Sequence, residues 1–269
     1  MYWHEAKTTL LKPLFDGARI GLITDFDGTL SPIVPDPDAA RATEDNTTHL
    51  RELVPQLTLL AFVSGRAAAD LQQRVALPGA VYVGNHGLER WTDGEVSTHQ
   101  DIAPYLDILS QLASQIETLD LDGMRVENKR ATLSVHYRNT ADPTAAASQL
   151  KTFLQPLIDA NGLKLFSGRM VYEVRPPVEV NKGTAFRDLV RDYQLDAAIF
   201  IGDDTTDADA MKAARSLRDA GQCYSLAFGV ESDDTPGIVR DSADLLLEGV
   251  PGVEDFLSWF KKSVSASSS

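Results

Sequence analysis

Six short runs of this sequence are apolar almost from end to end: residues 20–24, 57–63, 80–83, 197–201, 224–228 and 243–247. A strand with one face in water alternates apolar and polar side chains. A run without that alternation suits a parallel strand covered on both faces. Helical spacing occupies the intervals, over residues 45–53, 67–75, 182–193 and 206–219. Strand alternating with helix predicts an α/β chain with an open parallel sheet and helices on both sides.

The middle of the chain breaks this pattern. Residues 105–119 and 142–160 have helical spacing, with Pro143 suited to a first helical turn. Residues 125–128 with 132–137, and 163–166 with 171–174, read as two hairpins. Helix, hairpin, helix, hairpin predicts an α+β unit with its own sheet, inserted into the parallel core. The expected organisation is core over 1–101, inserted cap domain over 102–177, core again over 178–262, and a Ser-rich disordered tail over 263–269.

With 269 residues and a net charge of −14, the chain is large enough for one or two domains and is strongly acidic. Nucleic acid and anionic membrane are disfavoured as partners, because affinity for both comes from Lys and Arg. A phosphorylated small molecule is not, since a local cation overrides the global field at short range. No run of 18 apolar residues exists, and Met1-Tyr2-Trp3-His4-Glu5 does not open a secretory signal. Cys223, the only cysteine, excludes an internal disulfide and a cysteine metal cluster. A cytoplasmic protein is expected, a monomer or weak oligomer.

Ligands of open parallel sheets sit beyond the carboxyl ends of the strands. Four polar groups of this sequence fall there: Asp25-Phe26-Asp27-Gly28-Thr29, Ser64-Gly65-Arg66, Gly84-Asn85-His86-Gly87 and Asp203-Asp204. Asp25 and Asp27 could hold a divalent cation, and an aspartate is a competent nucleophile toward phosphorus. A strand followed by a plain Asp-Gly turn fits the same residues. Ser64 suits a phosphate cradle or a helix N-cap. Lys182 suits a contact to a phosphoryl oxygen or a solvated helix entry. Asp203, Asp204 and Asp207 crowd three carboxylates into five residues, a costly arrangement without compensation, so a magnesium site is expected there.

In this order, these motifs resemble the haloacid dehalogenase superfamily, on Asp25-Phe26-Asp27-Gly28-Thr29, Ser64, Lys182 and Gly202-Asp203-Asp204. The resemblance implies a Rossmann-like core with an inserted cap. A closer resemblance is to trehalose-6-phosphate phosphatases. It rests on Ser64-Gly65-Arg66, Gly84-Asn85-His86-Gly87-Leu88-Glu89, Val126-Glu127-Asn128-Lys129, His136-Tyr137-Arg138, Glu173-Val174-Arg175-Pro176, Asn181-Lys182-Gly183 and Gly202-Asp203-Asp204-Thr205-Thr206-Asp207.

The resemblance implies hydrolysis of a sugar phosphate, with Asp25 as nucleophile and Asp27 as general acid and base. Ser64 and Lys182 would hold phosphoryl oxygens. Asp25, the Asp27 carbonyl and Asp203 would bind Mg2+, with Asp204 and Asp207 behind them. Arg66, Asn85, His86, Glu127, Lys129, Arg138 and Glu173 would meet the substrate. Exposed cross-strand ion pairs are the other reading of Glu127, Lys129 and Arg138. The competing functions are a sugar phosphomutase, a receiver-type signalling domain, and phosphatases of the sucrose-phosphate or mannosyl-glycerate-phosphate type.

Overall fold

The structure is a computed structural model; it describes every residue except Ala18, Asp93, Arg169, Ser268 and Ser269. The chain divides into two units, Met1–Val96 with Val180–Ser269, and Ser97–Glu179. It runs through β1 (Ile20–Thr24), α1 (Glu44–Leu53), β2 (Leu59–Val63), α2 (Ala68–Val75), β3 (Val81–Gly84), β4 (Glu89–Thr92) and β5 (Glu95–Thr98). The inserted unit supplies α3 (Leu106–Glu117), β6 (Arg125–Asn128), β7 (Leu133–His136), α4 (Pro143–Ala160), β8 (Lys164–Gly168) and β9 (Val171–Arg175). The first unit resumes with α5 (Lys182–Asp192), β10 (Ala197–Gly202), α6 (Asp207–Asp219), β11 (Tyr224–Glu231), α7 (Gly237–Ser242), β12 (Leu245–Glu248) and α8 (Gly249–Ser267).

Eight strands of the first unit lie in the order β12-β11-β10-β1-β2-β3-β4-β5. The six from β12 to β3 pair in parallel, as their unbroken apolar runs predict. The sheet is nonetheless mixed, because β4 runs antiparallel to β3 and β5 forms the edge. Glu89-Arg90-Trp91-Thr92 and Glu95-Val96-Ser97-Thr98 are too polar to announce themselves as buried strands. Short, charged strands of this kind are what sheet edges use.

Neighbouring residues of the buried strands serve opposite faces, the period-two rule of a pleated strand. Leu22, Phe62, Ile199 and Phe228 pack with Leu50 of α1 and Phe256 and Phe260 of α8. Ile23, Ala61, Val63 and Phe200 pack with Phe186 and Leu189 of α5 and Met211 of α6. With a filled layer on each face, the strands' carboxyl ends are the places left for polar groups.

Residues 263–267, expected to be disordered, belong to α8; Ser268 and Ser269 lie outside the described residues. Val264 is buried in the first core layer. The Ser265 hydroxyl donates to the Lys261 carbonyl at 2.9 Å and to Gln56 Oε1 at 2.6 Å. Composition suggests disorder, but a packed helix carries its last turns with it, and serine can bond back to the preceding turn.

The inserted unit is a four-stranded antiparallel sheet in the order β6-β7-β9-β8. Leu133, Val135, Tyr172 and Val174 form its apolar face and pack on Leu109 and Ile116 of α3 and Leu150 and Leu154 of α4. The register sets Glu127 opposite Ser134, Ser134 opposite Glu173, and Glu173 opposite Phe166. Directly paired residues share a face, so this row lies on the polar side.

Phe256 tests the packing of α8. It is fully buried, with ring contacts to Trp3, Phe228, Trp259 and Phe260. Phe256→Ala is expected to cost about 3–5 kcal/mol in urea unfolding. A loss below about 1 kcal/mol, the level of ordinary substitutions, would show that α8 does not anchor the sheet.

Candidate active site

Asp25 directly follows β1 and is 4% exposed. Its N–H donates to the Ile201 carbonyl at 2.8 Å, which carries the β1–β10 pairing one residue past the strand. Lys182, the first residue of α5, places Nζ 2.9 Å from Asp25 Oδ1 and donates to Asp207 Oδ1 at 2.7 Å. Asn181 caps that helix by accepting from the N–H groups of Gly183 and Thr184 at 2.9 and 3.0 Å. Lys182 is 3% exposed, so the solvated helix-entry reading is wrong. Burial would lower its pKa, but the charges of Asp207 and Asp25 override this and raise it.

Asp207 is fully buried at the start of α6. Its Oδ2 accepts from the N–H groups of Asp203 and Asp204 at 3.1 and 3.0 Å, so it braces the turn that carries Asp203. Two glycines make the room. A Cβ on Gly202 would stand 2.4 Å from Asp207 Cγ, and one on Gly28, at φ 75°, would stand 2.1 Å from Asp203 Oδ2. Thr29 Oγ1 donates to Asp203 Oδ1 at 3.4 Å.

Asp25, Asp203 and Asp207 thus bring carboxylate oxygens within 4.8 Å of one another, and Lys182 pairs with two of them. Burial raises the pKa of all three carboxyls, and neighbouring carboxylates add to the rise, Asp207 for Asp25, Asp25 for Asp203 and Asp204 for Asp207. An all-oxygen set with surplus negative charge fits a hard divalent cation. Asp207 is engaged by Lys182 and two amides, and the Asp25 carboxylate, among the described residues, by Lys182 alone. Asp204 is exposed in the turn, outside this cluster.

Ser64, 2% exposed, follows β2, and its Oγ accepts from the Arg66 N–H at 3.3 Å. It is not a helix cap. The Ala68 N–H, at the start of α2, donates instead to Glu89 Oε2 at 3.1 Å. Nothing in the sequence around Glu89 marks it for this role.

Asn85 and His86 sit at φ 49° and 58°, a region few non-glycine residues visit. Their N–H groups donate to the carbonyls of Arg66 and Ser64 at 2.7 and 2.9 Å, zipping the loop after β3 to the loop after β2. Asn85 is fully buried and His86 is 9% exposed, so both side chains lie in the wall between these two loops. Arg66, also expected at the substrate, holds Asp27 through both carboxylate oxygens, at 2.6 and 2.7 Å.

In the inserted unit, Glu127 Oε2 lies 3.2 Å from His136 Nε2 and 4.0 Å from Lys129 Nζ. Burial would raise the Glu127 pKa, but the His136 bond and the Lys129 charge hold it down at about 2. Glu173 pairs with Arg175 on the same polar face. Arg138 is exposed in the turn beyond β7, away from the strand row. His136 and Arg175, absent from the expected set, follow from strand parity once the register is known.

A mixed sheet with acidic groups at the ends of β1 and β10, and an α+β unit inserted between those strands in sequence, is the architecture of haloacid dehalogenase-like hydrolases. One such hydrolase from Bacteroides thetaiotaomicron has the same fold, with a TM-score of 0.58 at 15% identity over 90% of this chain and 99% of its own. Within that class, the chain belongs to the trehalose-phosphatase family, whose model matches residues 23–239. The trehalose-phosphate phosphatase of Mycobacterium marinum is 37% identical over 232 residues, or 80% of this chain and 58% of its own. The C-terminal domain of C. albicans trehalose-6-phosphate phosphatase shares the fold, with a TM-score of 0.74 at 22% identity over 94% of this chain and 96% of its own. The chain spans a little over half the length of the first curated relatives it matches.

The surplus charge predicts a pH dependence of stability. An ordinary aspartate titrates near 3.8, whereas Asp25 is pushed up to about 7 and Asp203 to about 9. Between those limits the native state keeps protons that the unfolded chain has lost, so stability falls as pH rises. In chelator, the melting temperature is expected to drop between about pH 5 and 8, and an added divalent cation to restore more at pH 8. A flat profile with no cation response would show that these carboxylates are compensated without metal.

Proposed function

We propose that this chain hydrolyses trehalose 6-phosphate to trehalose and inorganic phosphate through an aspartyl-phosphate on Asp25. The observation that carries the reading is the buried Asp25–Lys182 pair at the end of β1, in a chain of the trehalose-phosphatase family. An Asp25 oxygen attacks phosphorus as the bond from phosphorus to the sugar oxygen breaks, and Asp27 gives its proton to that departing oxygen. Asp27 then takes a proton from the water that attacks phosphorus. The bond to Asp25 breaks, and both residues return to their starting states.

Lys182 and Ser64 hold phosphoryl oxygens in both steps. Lys182 is already fixed by Asp207, so its charge is in place before the reaction. Asp25, Asp203 and the Asp27 carbonyl are the proposed holders of magnesium, with Asp207 behind them. When bound, the ion supplies positive charge against the phosphoryl oxygens. We assign sugar recognition to Glu127, Lys129, Arg138 and Glu173. Among the described residues no helix is long and apolar enough to cross a membrane, and a sugar phosphate dissolved in the cytoplasm is the substrate this reading requires.

Phosphate release over a panel of sugar phosphates tests the whole reading, with trehalose 6-phosphate expected to be the preferred substrate. Asp25→Asn should lower kcat by at least about a thousand-fold while leaving the unfolding midpoint in place. Chelator should stop turnover and magnesium restore it. Ready turnover by Asp25→Asn, or full activity after exhaustive chelation, would remove the corresponding part of the mechanism.

The sugar-recognition set has its own test. Alanine at Glu127, Lys129, Arg138 or Glu173 should lower kcat/KM for trehalose 6-phosphate by about ten- to a hundred-fold, the loss of a charged hydrogen bond. An aryl phosphate, which lacks the sugar, should be hydrolysed nearly as before. A parallel fall for both substrates would assign these residues to structure instead.

A further inference from the structure

Asp27 has 34% of its side chain open, yet its orientation is fixed. Arg66 Nε donates to Asp27 Oδ2 at 2.6 Å and Nη2 to Oδ1 at 2.7 Å. Such a fork locks the plane of a carboxylate, which a point charge cannot do. The rest of the guanidinium is held too. Nη2 also donates to the Pro37 carbonyl at 2.9 Å, Nη1 donates to Asp70 Oδ2 at 3.1 Å, and the Phe26 ring lies 5.4 Å away.

Asp70 is held in turn. Arg74 Nε donates to its two oxygens at 2.9 and 2.8 Å, while Arg74 Nη1 donates to the carbonyls of Asp38 and Ala40 at 3.0 and 3.1 Å. Asp27, Arg66, Asp70 and Arg74 form a row of alternating sign. It ties the Asp27 side chain to α2 and to the loop around residues 37–40.

We infer that Arg66 is a positioning residue that fixes Asp27 for proton transfer, and that the Asp70–Arg74 pair holds Arg66 in place. The inference rests on the proposed acid–base role of Asp27. It replaces the substrate contact expected for Arg66, whose donors already serve protein groups. If Arg66 acts through Asp27, its loss matters only while Asp27 is present.

A double-mutant cycle on trehalose 6-phosphate turnover reads this directly. Arg66→Ala should lower kcat by about ten- to a hundred-fold with KM nearly unchanged. In an Asp27→Asn background the same change should cost less than about two-fold. Arg66→Lys should recover little, since one ammonium cannot hold both oxygens in plane. Asp70→Asn should show a smaller loss that likewise vanishes in that background.

The burst of nitrophenolate from 4-nitrophenyl phosphate supplies a second measurement, because that leaving group departs without a proton. Arg66→Ala should slow it less than it slows the sugar phosphate. Effects that multiply in the cycle, a raised KM with kcat unchanged, or equal loss on both substrates alongside a lowered melting temperature would each overturn the inference. If Arg66→Ala does not fold, Arg66→Gln serves in its place. Full turnover by Asp27→Asn would instead overturn the acid–base reading beneath it.

Discussion

One buried ammonium organises this protein. Lys182 lies between Asp25 and Asp207, and those three residues come from the end of β1, the start of α5 and the start of α6. Removing one partner of a buried ion pair strands the other charge, at a cost of about 3–5 kcal/mol. The three segments are therefore held in one arrangement. The surrounding backbone is shaped to the same end: Asn181 caps the helix that presents the lysine, and Gly202 leaves space for the Asp207 carboxylate. Three carboxylates around one lysine form an acidic cluster of the kind that could hold a hard cation.

The sequence disclosed more of the sheet than of the site's wiring. Unbroken apolar runs placed the six parallel strands, and strand ends placed Asp25, Ser64 and Asp203. Nothing local distinguishes Asp204 from Asp207, which look equivalent in a stretch of three aspartates. The turn's amides point to Asp207, which buries it and leaves Asp204 outside. Ser64 reads as a helix cap by residue type, yet Glu89, from the strand beyond β3, takes that duty. Arg66 and Asp27 are 39 residues apart, and no periodicity predicts their fork. β5, at the sheet edge, and β4 beside it are polar strands that lack the pattern marking buried ones.

The inserted unit shows the opposite balance. Its order of helices and hairpins is legible because each hairpin is local: β6 pairs with β7 and β8 with β9, and alternate residues supply one apolar face; only the β7–β9 pairing joins residues distant in sequence. The charged face is less uniform than four selected residues implied. Glu127 is held ionised by His136 and Lys129, and Glu173 is paired to Arg175. Glu127 thus remains an acceptor through the whole neutral range.

The central pairing of β1 with β10 has a consequence for the chain's history. Ile20 lies beside Ala197, so one edge of β1 has no partner until residues 197–202 leave the ribosome. The unit from Ser97 to Glu179 is continuous, and its strands find all their partners earlier in synthesis. Contacts so distant in sequence close slowly, because loop entropy is lost before they form. Asp25 is thus translated early but waits, solvated and unpaired, for a lysine and an aspartate made much later. During that interval the nascent chain carries an acidic strand end that a chaperone or a free metal ion can meet before the protein's own lysine does.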